Sequence, residues 1–284
     1  MKKPFIRQRL FSKPSSAQNK KTLPVGALDR ISVFETLRSY DGMLFHAREH
    51  LDRLEDSCKG IGRSLPINAQ EMIHWLQESL QSCGLKNALL RLAIHWFDER
   101  DSEEGRLVLF LREFKSHPAV WYQKGVALKT TTRRRWDFNA QDPQIKASQF
   151  MNGVLAVLDE SGPRAHELVF FGPRGTVAEG AVSNIFIADQ KRLLTPAASS
   201  GILRGVTRSV VIALARKRGL QVLETLLTRH ELYTASECFM TNTSSEVLPV
   251  VSLDGRPIGS GAPGPLTRAL ARDFKQSVRG TSSL

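Results

Sequence analysis

Cysteine is scarce in this chain of 284 residues: Cys58, Cys83 and Cys238 lie far apart and form no CxxC pair. That spacing argues against a disulfide framework and a thiolate zinc site, and it fits a reducing, cytoplasmic compartment. Long apolar runs are missing as well. No stretch approaches the ~20 residues that a bilayer-spanning helix needs, so no membrane partner is expected. Acidic residues are absent before Asp29, where Lys2, Lys3, Arg7, Arg9, Lys13, Lys20 and Lys21 fall. The formal charge of +12, less these seven, leaves +5 for the rest, so the basic character belongs largely to one end. Residues 1–24 also lack an apolar core of ~7–15 residues, which excludes a secretory signal. They leave open an organellar transit peptide, a short edge strand over residues 5–10, a partly ordered tail, or a nucleic-acid-binding arm.

The remainder has material for a substantial core, being 41% hydrophobic over a length that fits one large domain or two modest ones. Residues 31–38 are β-branched and aromatic and end at the turn pair Asp41-Gly42, a strand entering a hairpin. Residues 46–58 carry Leu51, Leu54 and Cys58 at helical spacing. His46 and His50 stand four apart there, but no third ligand accompanies them, so no metal site is expected. A second helix over 68–82 precedes strands over 87–96 and 106–114. Arg91 lies inside the first of these, either in a structural ion pair or as an anion binder, since an unpaired buried charge is costly. Residues 116–119 read as a linker, and residues 126–132 as the first strand of a second region. Arg133-Arg134-Arg135-Trp136 interleaves cations with an aromatic, which suits either a single-stranded nucleic acid or a solvated strand end.

Three further features carry chemistry. Lys146 follows a loop containing Pro143 and precedes a helix over 148–160, offering a primary amine. Glu179 sits in a strand–turn–strand pattern, with a strand over 167–172, a turn at 173–175 and a return strand over 177–187. Gly205-Val206-Thr207-Arg208 opens a helix closed by Gly219, with Thr207 as candidate cap and the first amides aimed at an anion. An amine, a carboxylate able to keep a ring nitrogen protonated, and a phosphate-binding helix start are what pyridoxal phosphate requires of a protein. By contrast, residues 259–264 (Gly-Ser-Gly-Ala-Pro-Gly) fit GxGxxG but lack the strand–helix–strand context of a dinucleotide site.

In this order, the blocks resemble the class IV (fold type IV) pyridoxal-phosphate enzymes, which include branched-chain aminotransferases, D-amino acid aminotransferases and aminodeoxychorismate lyases. The resemblance runs from about Asp29 to about Ala271. It implies an α/β (α+β) architecture: a basic tail over 1–24, a small α/β domain over 25–118, and a larger β-rich domain with helices over 119–284. In that family the pyridoxal 5′-phosphate lies at the junction of the two domains. The resemblance makes Lys146 the Schiff-base lysine and the general base at Cα, with Glu179 beside the ring nitrogen. It places Arg53, Val206, Thr207 and Thr243 on the phosphate, and Phe34, Arg91 and Ser244 on the substrate. Read without it, Arg53 pairs with Glu49 one helical turn earlier. Family members are homodimers acting on amino acid and oxo acid substrates.

Several positions depart from the pattern. Arg30-Ile31-Ser32 replaces a usual Gly-Asp-Gly, Leu89 stands where branched-chain relatives carry a tyrosine, Met151 stands where relatives with aminotransferase activity often carry one, and residues 97–102 lack the Arg-x-His of D-amino acid enzymes. Thr241-Asn242-Thr243 lies between the Thr-Gly-Thr of aminotransferases and the Thr-Asn-Ser of the lyases. The expected function is amino-group transfer between an amino acid and a 2-oxo acid. The second reading is release of pyruvate and 4-aminobenzoate from aminodeoxychorismate, and the third is a basic nucleic-acid-binding protein.

Overall fold

A computed structural model describes residues 5–11, 32–96, 105–148, 151–160, 165–189 and 192–281. Their packing divides them into two units. One contains the described residues up to Lys115 with 145–148 and Thr281; the other contains 116–144 and the rest. The sequence places Lys146 within 119–284, yet its segment groups with the first unit. The cause is local: Ala147 bridges Val33, and the Ser148 N–H donates to the Ser32 carbonyl at 3.0 Å.

The first unit is built from β1 (Phe5–Phe11), β2 (Ser32–Tyr40), β3 (Met43–Leu44), α1 (Ala47–Gly60), α2 (Ala69–Ser82), β4 (Ala88–Trp96) and β5 (Gly105–Glu113). Its sheet has the order β1-β5-β4-β2-β3 and is antiparallel throughout. Asp41 and Gly42 both take positive φ, the requirement of a two-residue hairpin turn whose twist matches its strands. Alternation sorts the faces: Leu90, Leu92, Ile94 and Trp96 of β4 and Leu107, Leu109 and Leu111 of β5 are buried. They join Leu51 and Leu54 of α1 and Met72, Leu76 and Leu80 of α2 in one core. Asn68 caps α2 by accepting the Glu71 N–H at 2.8 Å.

Of the readings open for the basic terminus, the edge strand is the one seen, over Phe5–Phe11. Two of its cations are engaged by α2: Arg7 donates to the Ser79 hydroxyl at 2.8 Å, and Arg9 pairs with Glu71 at 2.9 Å. The rest of the 1–24 tail, Arg30 and Ile31, and residues 97–102 lie outside the described residues.

The second unit runs α3 (Ala119–Lys124), β6 (Val126–Arg134), α4 (Met151–Asp159), β7 (Glu167–Phe171), β8 (Val177–Gly180), β9 (Asn184–Asp189), β10 (Arg192–Pro196), α5 (Val206–Lys217), β11 (Gln221–Thr225), α6 (Arg229–Thr234), β12 (Glu237–Asn242), β13 (Glu246–Leu253), β14 (Arg256–Pro257) and α7 (Pro265–Thr281). Its sheet has the order β11-β10-β9-β12-β13-β6-β7-β8, with β14 on β13. Just past β11, Leu227 bridges back to β8, its carbonyl accepting the Val177 N–H at 2.7 Å, so the sheet curls towards closure. Strands β10 and β11 are parallel neighbours joined through α5, which puts the start of α5 beyond the carboxyl end of β10. That end of a βαβ unit is where backbone donors are available to an anion.

The return strand expected over 177–187 is two strands. The chain turns at 181–183, where the Gly180 N–H donates to the Ser183 carbonyl at 2.7 Å. Beyond the turn, β9 leaves β7 and pairs with β10 and β12. Between the expected linker over 116–119 and the expected strand over 126–132, a short helix forms at Ala119–Lys124, taking in the last linker residue. The glycines of 259–264 serve turns and packing: Gly259 and Gly261 have positive φ, and a β-carbon on Gly264 would fall 1.9 Å from Glu237. Among the described residues, no helix is long and apolar enough to cross a membrane.

Candidate active site

On β2, alternation turns Val33, Glu35, Leu37 and Ser39 to the helix-covered face. Glu35 is thereby 0% exposed, and a carboxylate there needs partners. Helix α1 supplies them from positions three apart. Arg53 donates Nε and Nη2 to the two Glu35 oxygens, each at 2.7 Å, and His50 Nδ1 meets Oε2 at 2.7 Å. Burial alone would raise the Glu35 carboxyl, but the charge of Arg53 and the bonds from His50 and Arg53 hold it well below the usual carboxylate range. Burial pushes the His50 imidazole down, against the pull of Glu35. Arg53 thus has its partner on a neighbouring strand and not in Glu49, which meets His46 at 2.5 Å.

Lys146 is fixed through its backbone. Its carbonyl accepts the Phe34 N–H at 2.9 Å, and its own N–H donates to the Ser57 hydroxyl at 3.0 Å. The Ala147 N–H reaches back to the Ile145 carbonyl at 2.9 Å, a three-residue turn with Lys146 at its apex. Lys146 Nζ stands 4.7 Å from the centre of the Phe34 ring, and the Arg91 guanidinium carbon stands 3.8 Å from the same ring. Arg91 is exposed on β4 and not a buried charge, no carboxylate pairs with it among the described residues, and partial desolvation pushes its guanidinium down. The first unit therefore gathers Phe34, Arg91 and Lys146 around one ring.

In the second unit, Glu179 is buried at the end of β8. Arg135 Nη2 lies 2.9 Å from Oε1. The Asn184 side-chain amide, at 3.1 Å, and the Leu203 N–H, at 3.0 Å, both donate to Oε2. Asn184 also donates to the Leu203 carbonyl at 2.8 Å, so it ties Glu179 to the loop that ends at α5. The helix cap is Gly205, in extended conformation with no side-chain cap bond. Thr207, expected as the cap, is the second residue inside the helix. Gly205 is required because a β-carbon there would fall 2.1 Å from Asn184 Oδ1. The outcome is a buried carboxylate joined through one asparagine to an uncapped helix start bearing Val206 and Thr207.

Strand β12 lies beside β9, with Thr241 opposite Asn184. The Thr241 hydroxyl is buried and has no hydrogen-bond partner among the described residues. Asn242 Oδ1 accepts from the Ser244 N–H, the Ser244 hydroxyl and the Ser245 N–H, at 3.0, 3.0 and 2.7 Å. That bracket shapes the turn presenting Thr243 and Ser244. Behind Glu179, the Glu167 carboxylate accepts from the Val182 N–H at 2.7 Å and the Ser183 hydroxyl at 2.9 Å. Burial pushes Glu167 up to about 7, with the nearby charge of Glu179 adding to the rise against those two bonds.

The arginine run is also accounted for: Arg133 pairs with Asp159 at 2.5 Å, Arg134 donates to the Pro173 carbonyl at 3.0 Å, and Arg135 holds Glu179. Reading the sequence missed Glu35, Ser57, Arg135 and Glu167 as parts of these clusters. A signal existed for Glu35, which alternates with Val33 and Leu37 on a buried face. None existed for Ser57 or Arg135, whose partners are remote in sequence.

A family model for amino-transferase class IV matches residues 32–253. The chain is 36% identical over 256 residues to a Methanocaldococcus jannaschii protein provisionally named as a branched-chain-amino-acid aminotransferase, covering 88% of each. It is 31% identical over 254 residues to a D-alanine aminotransferase of Bacillus licheniformis, covering 87% of each. Its structure is similar to that of a T.th. branched-chain amino acid aminotransferase with pyridoxamine 5′-phosphate. The TM-score is 0.83 at 26% identity, over 95% of this chain and 94% of that one. The chain belongs to the class IV aminotransferase family, and its α/β architecture is that of fold type IV.

Proposed function

We propose that this class IV aminotransferase moves an amino group between an aliphatic amino acid and a 2-oxo acid with pyridoxal 5′-phosphate as cofactor and Lys146 as the amine that acts on it. The observation that carries the assignment is the fixing of Lys146 through both sides of its peptide while its amine stays at the Phe34 ring.

The residues present fit the cofactor. An uncapped helix start at Val206 and Thr207 suits a phosphate, as does the Thr243 hydroxyl. Glu179, held by Arg135, Asn184 and Leu203, suits a protonated ring nitrogen. The orphaned Thr241 hydroxyl beside Asn184 is a donor awaiting an acceptor. When bound, pyridoxal phosphate supplies an electron-withdrawing ring that takes up the charge left at Cα.

Each side chain then has a task. With the cofactor held, Lys146 Nζ would serve as the general base towards the substrate Cα, its swing limited by its pinned backbone. Glu179 holds the ring's proton in place by charge. Arg53 contributes its guanidinium to the phosphate while Glu35 and His50 fix its direction. Arg91 draws in the substrate carboxylate across the Phe34 face, and Ser244 offers a hydroxyl at the turn shaped by Asn242.

The assembly we assign is a homodimer. Met151, Val154, Val157 and Leu158 of α4 and nearby Val182 are 52–74% exposed, an apolar face suited to a second copy. The three cysteines are free thiols, in keeping with a cytoplasmic setting.

The test is the amino-acid half-reaction on cofactor-loaded protein. L- and D-aliphatic amino acids are added in turn, and conversion of the cofactor to its amine form is followed by absorbance. Conversion reversed by a 2-oxo acid supports the proposal and names the donor. Pyruvate released from aminodeoxychorismate, with no amine form accumulating, replaces it with the lyase.

A further inference from the structure

Resting on the assignment of Lys146 above, we propose that Ser57 is a positioning residue for the reaction. It locks the Lys146 peptide to the helix that carries Arg53.

A closed circuit of contacts runs through the first unit. The Phe34 N–H donates to the Lys146 carbonyl at 2.9 Å, and Glu35, next in the chain, grips the Arg53 guanidinium with both oxygens. One helical turn after Arg53, the Ser57 hydroxyl donates to the Arg53 carbonyl at 3.0 Å. Its oxygen accepts the Lys146 N–H at 3.0 Å and returns the circuit to its start. Because the single hydroxyl proton is committed to the helix carbonyl, the oxygen faces Lys146 purely as an acceptor. Ser57 is 0% exposed, so its oxygen is not shared with bulk water.

A second contact seats the same turn on α1. At Gly60 a β-carbon would stand 2.8 Å from Ile145 Cγ1 and 2.9 Å from Cδ1, so Ile145 packs where a side chain would otherwise be. The Lys146 turn is therefore held polar on one side and apolar on the other. Without the Ser57 oxygen, a part-buried peptide N–H loses its partner at the apex of a three-residue turn. The amine then swings over a wider range.

The test uses cofactor-loaded Ser57→Ala, Ser57→Thr and Ser57→Cys beside the parent protein. Three readouts are taken: the pH midpoint of the visible band of lysine-bound cofactor, kcat and KM of the half-reaction, and Tm. For Ser57→Ala the expected result is a displaced midpoint and a kcat lowered about tenfold, from one unpaired, part-buried N–H, with KM within about twofold. Ser57→Thr, which keeps the oxygen, restores both. Ser57→Cys keeps the volume with a weaker acceptor and gives the same displacement in smaller measure, which preserves the test should the alanine variant fail to fold. A lowered Tm with midpoint and kcat unchanged in Ala and Cys overturns the proposal and leaves Ser57 a packing residue. A parent protein with no such band overturns the Lys146 assignment, and this inference with it.

Discussion

The Asn184 side-chain amide donates to Glu179 at 3.1 Å, and its oxygen stands 2.1 Å from where a β-carbon on Gly205 would lie. One side chain thus connects the buried carboxylate with the start of α5. Gly205→Ala leaves the backbone unstrained, because its φ of −68° suits alanine. It nevertheless displaces Asn184. Cofactor affinity is expected to fall roughly tenfold to a hundredfold, the range for losing a hydrogen bond to a charged group. Helix content stays unchanged. Absorbance titration with pyridoxal phosphate and circular dichroism measure the two.

Glu35→Gln removes a fully buried charge and leaves the part-buried Arg53 uncompensated. A loss of about 3 kcal/mol or more is expected from breaking one side of a buried pair. The pH dependence has a definite sign. With its folded value held low, Glu35 contributes stability that is present above the ordinary carboxylate range and lost as pH falls through the folded value. Denaturant melts of both proteins across acidic pH should therefore show the difference between them narrowing on acidification.

Glu167 behaves oppositely, since burial raises it from 4.5 to about 7. The folded state then binds the extra proton between these values, so this carboxyl's contribution is complete below 4.5 and fades as pH rises through about 7. In Glu167→Gln that slope is absent. The Tm of the glutamine variant relative to the parent should climb across that window and level off above it, as read by thermal scans at stepped pH.

Arg91→Leu retains apolar contact with Phe34 and removes the cation. KM for amino acid and 2-oxo acid substrates should rise about tenfold or more, as a charge-assisted bond of about 1.5–3 kcal/mol is lost. Cofactor affinity should be unaltered. Steady-state kinetics with mono- and dicarboxylic 2-oxo acids separate a carboxylate role from a purely structural one.

Much of this molecule was legible from its residues alone. The helices bearing Arg53 and Val206, the β4 strand bearing Arg91, and the hairpin turn at Asp41-Gly42 announce themselves by periodicity or by turn chemistry. What stayed hidden depends on partners distant in sequence. Ser57 looks like any helical serine until the chain brings Lys146 to it, and Arg135 looks like one cation in a run until it meets Glu179. The break at 181–183 was invisible because each half is apolar enough to pass for one strand. The bonds that hold the turn, from the Gly180 N–H to the Ser183 carbonyl and from the Val182 N–H to Glu167 of β7, come into view only in the fold.

The most direct test of the account is the spectrum of Lys146→Ala beside the parent protein, each reconstituted with pyridoxal phosphate and read before borohydride is added, with the residue modified on later reduction located by peptide mass. The expected result is a visible band in the parent only, and a reduced cofactor adduct on Lys146. A band of equal strength in the variant, or an adduct on another lysine, would contradict it.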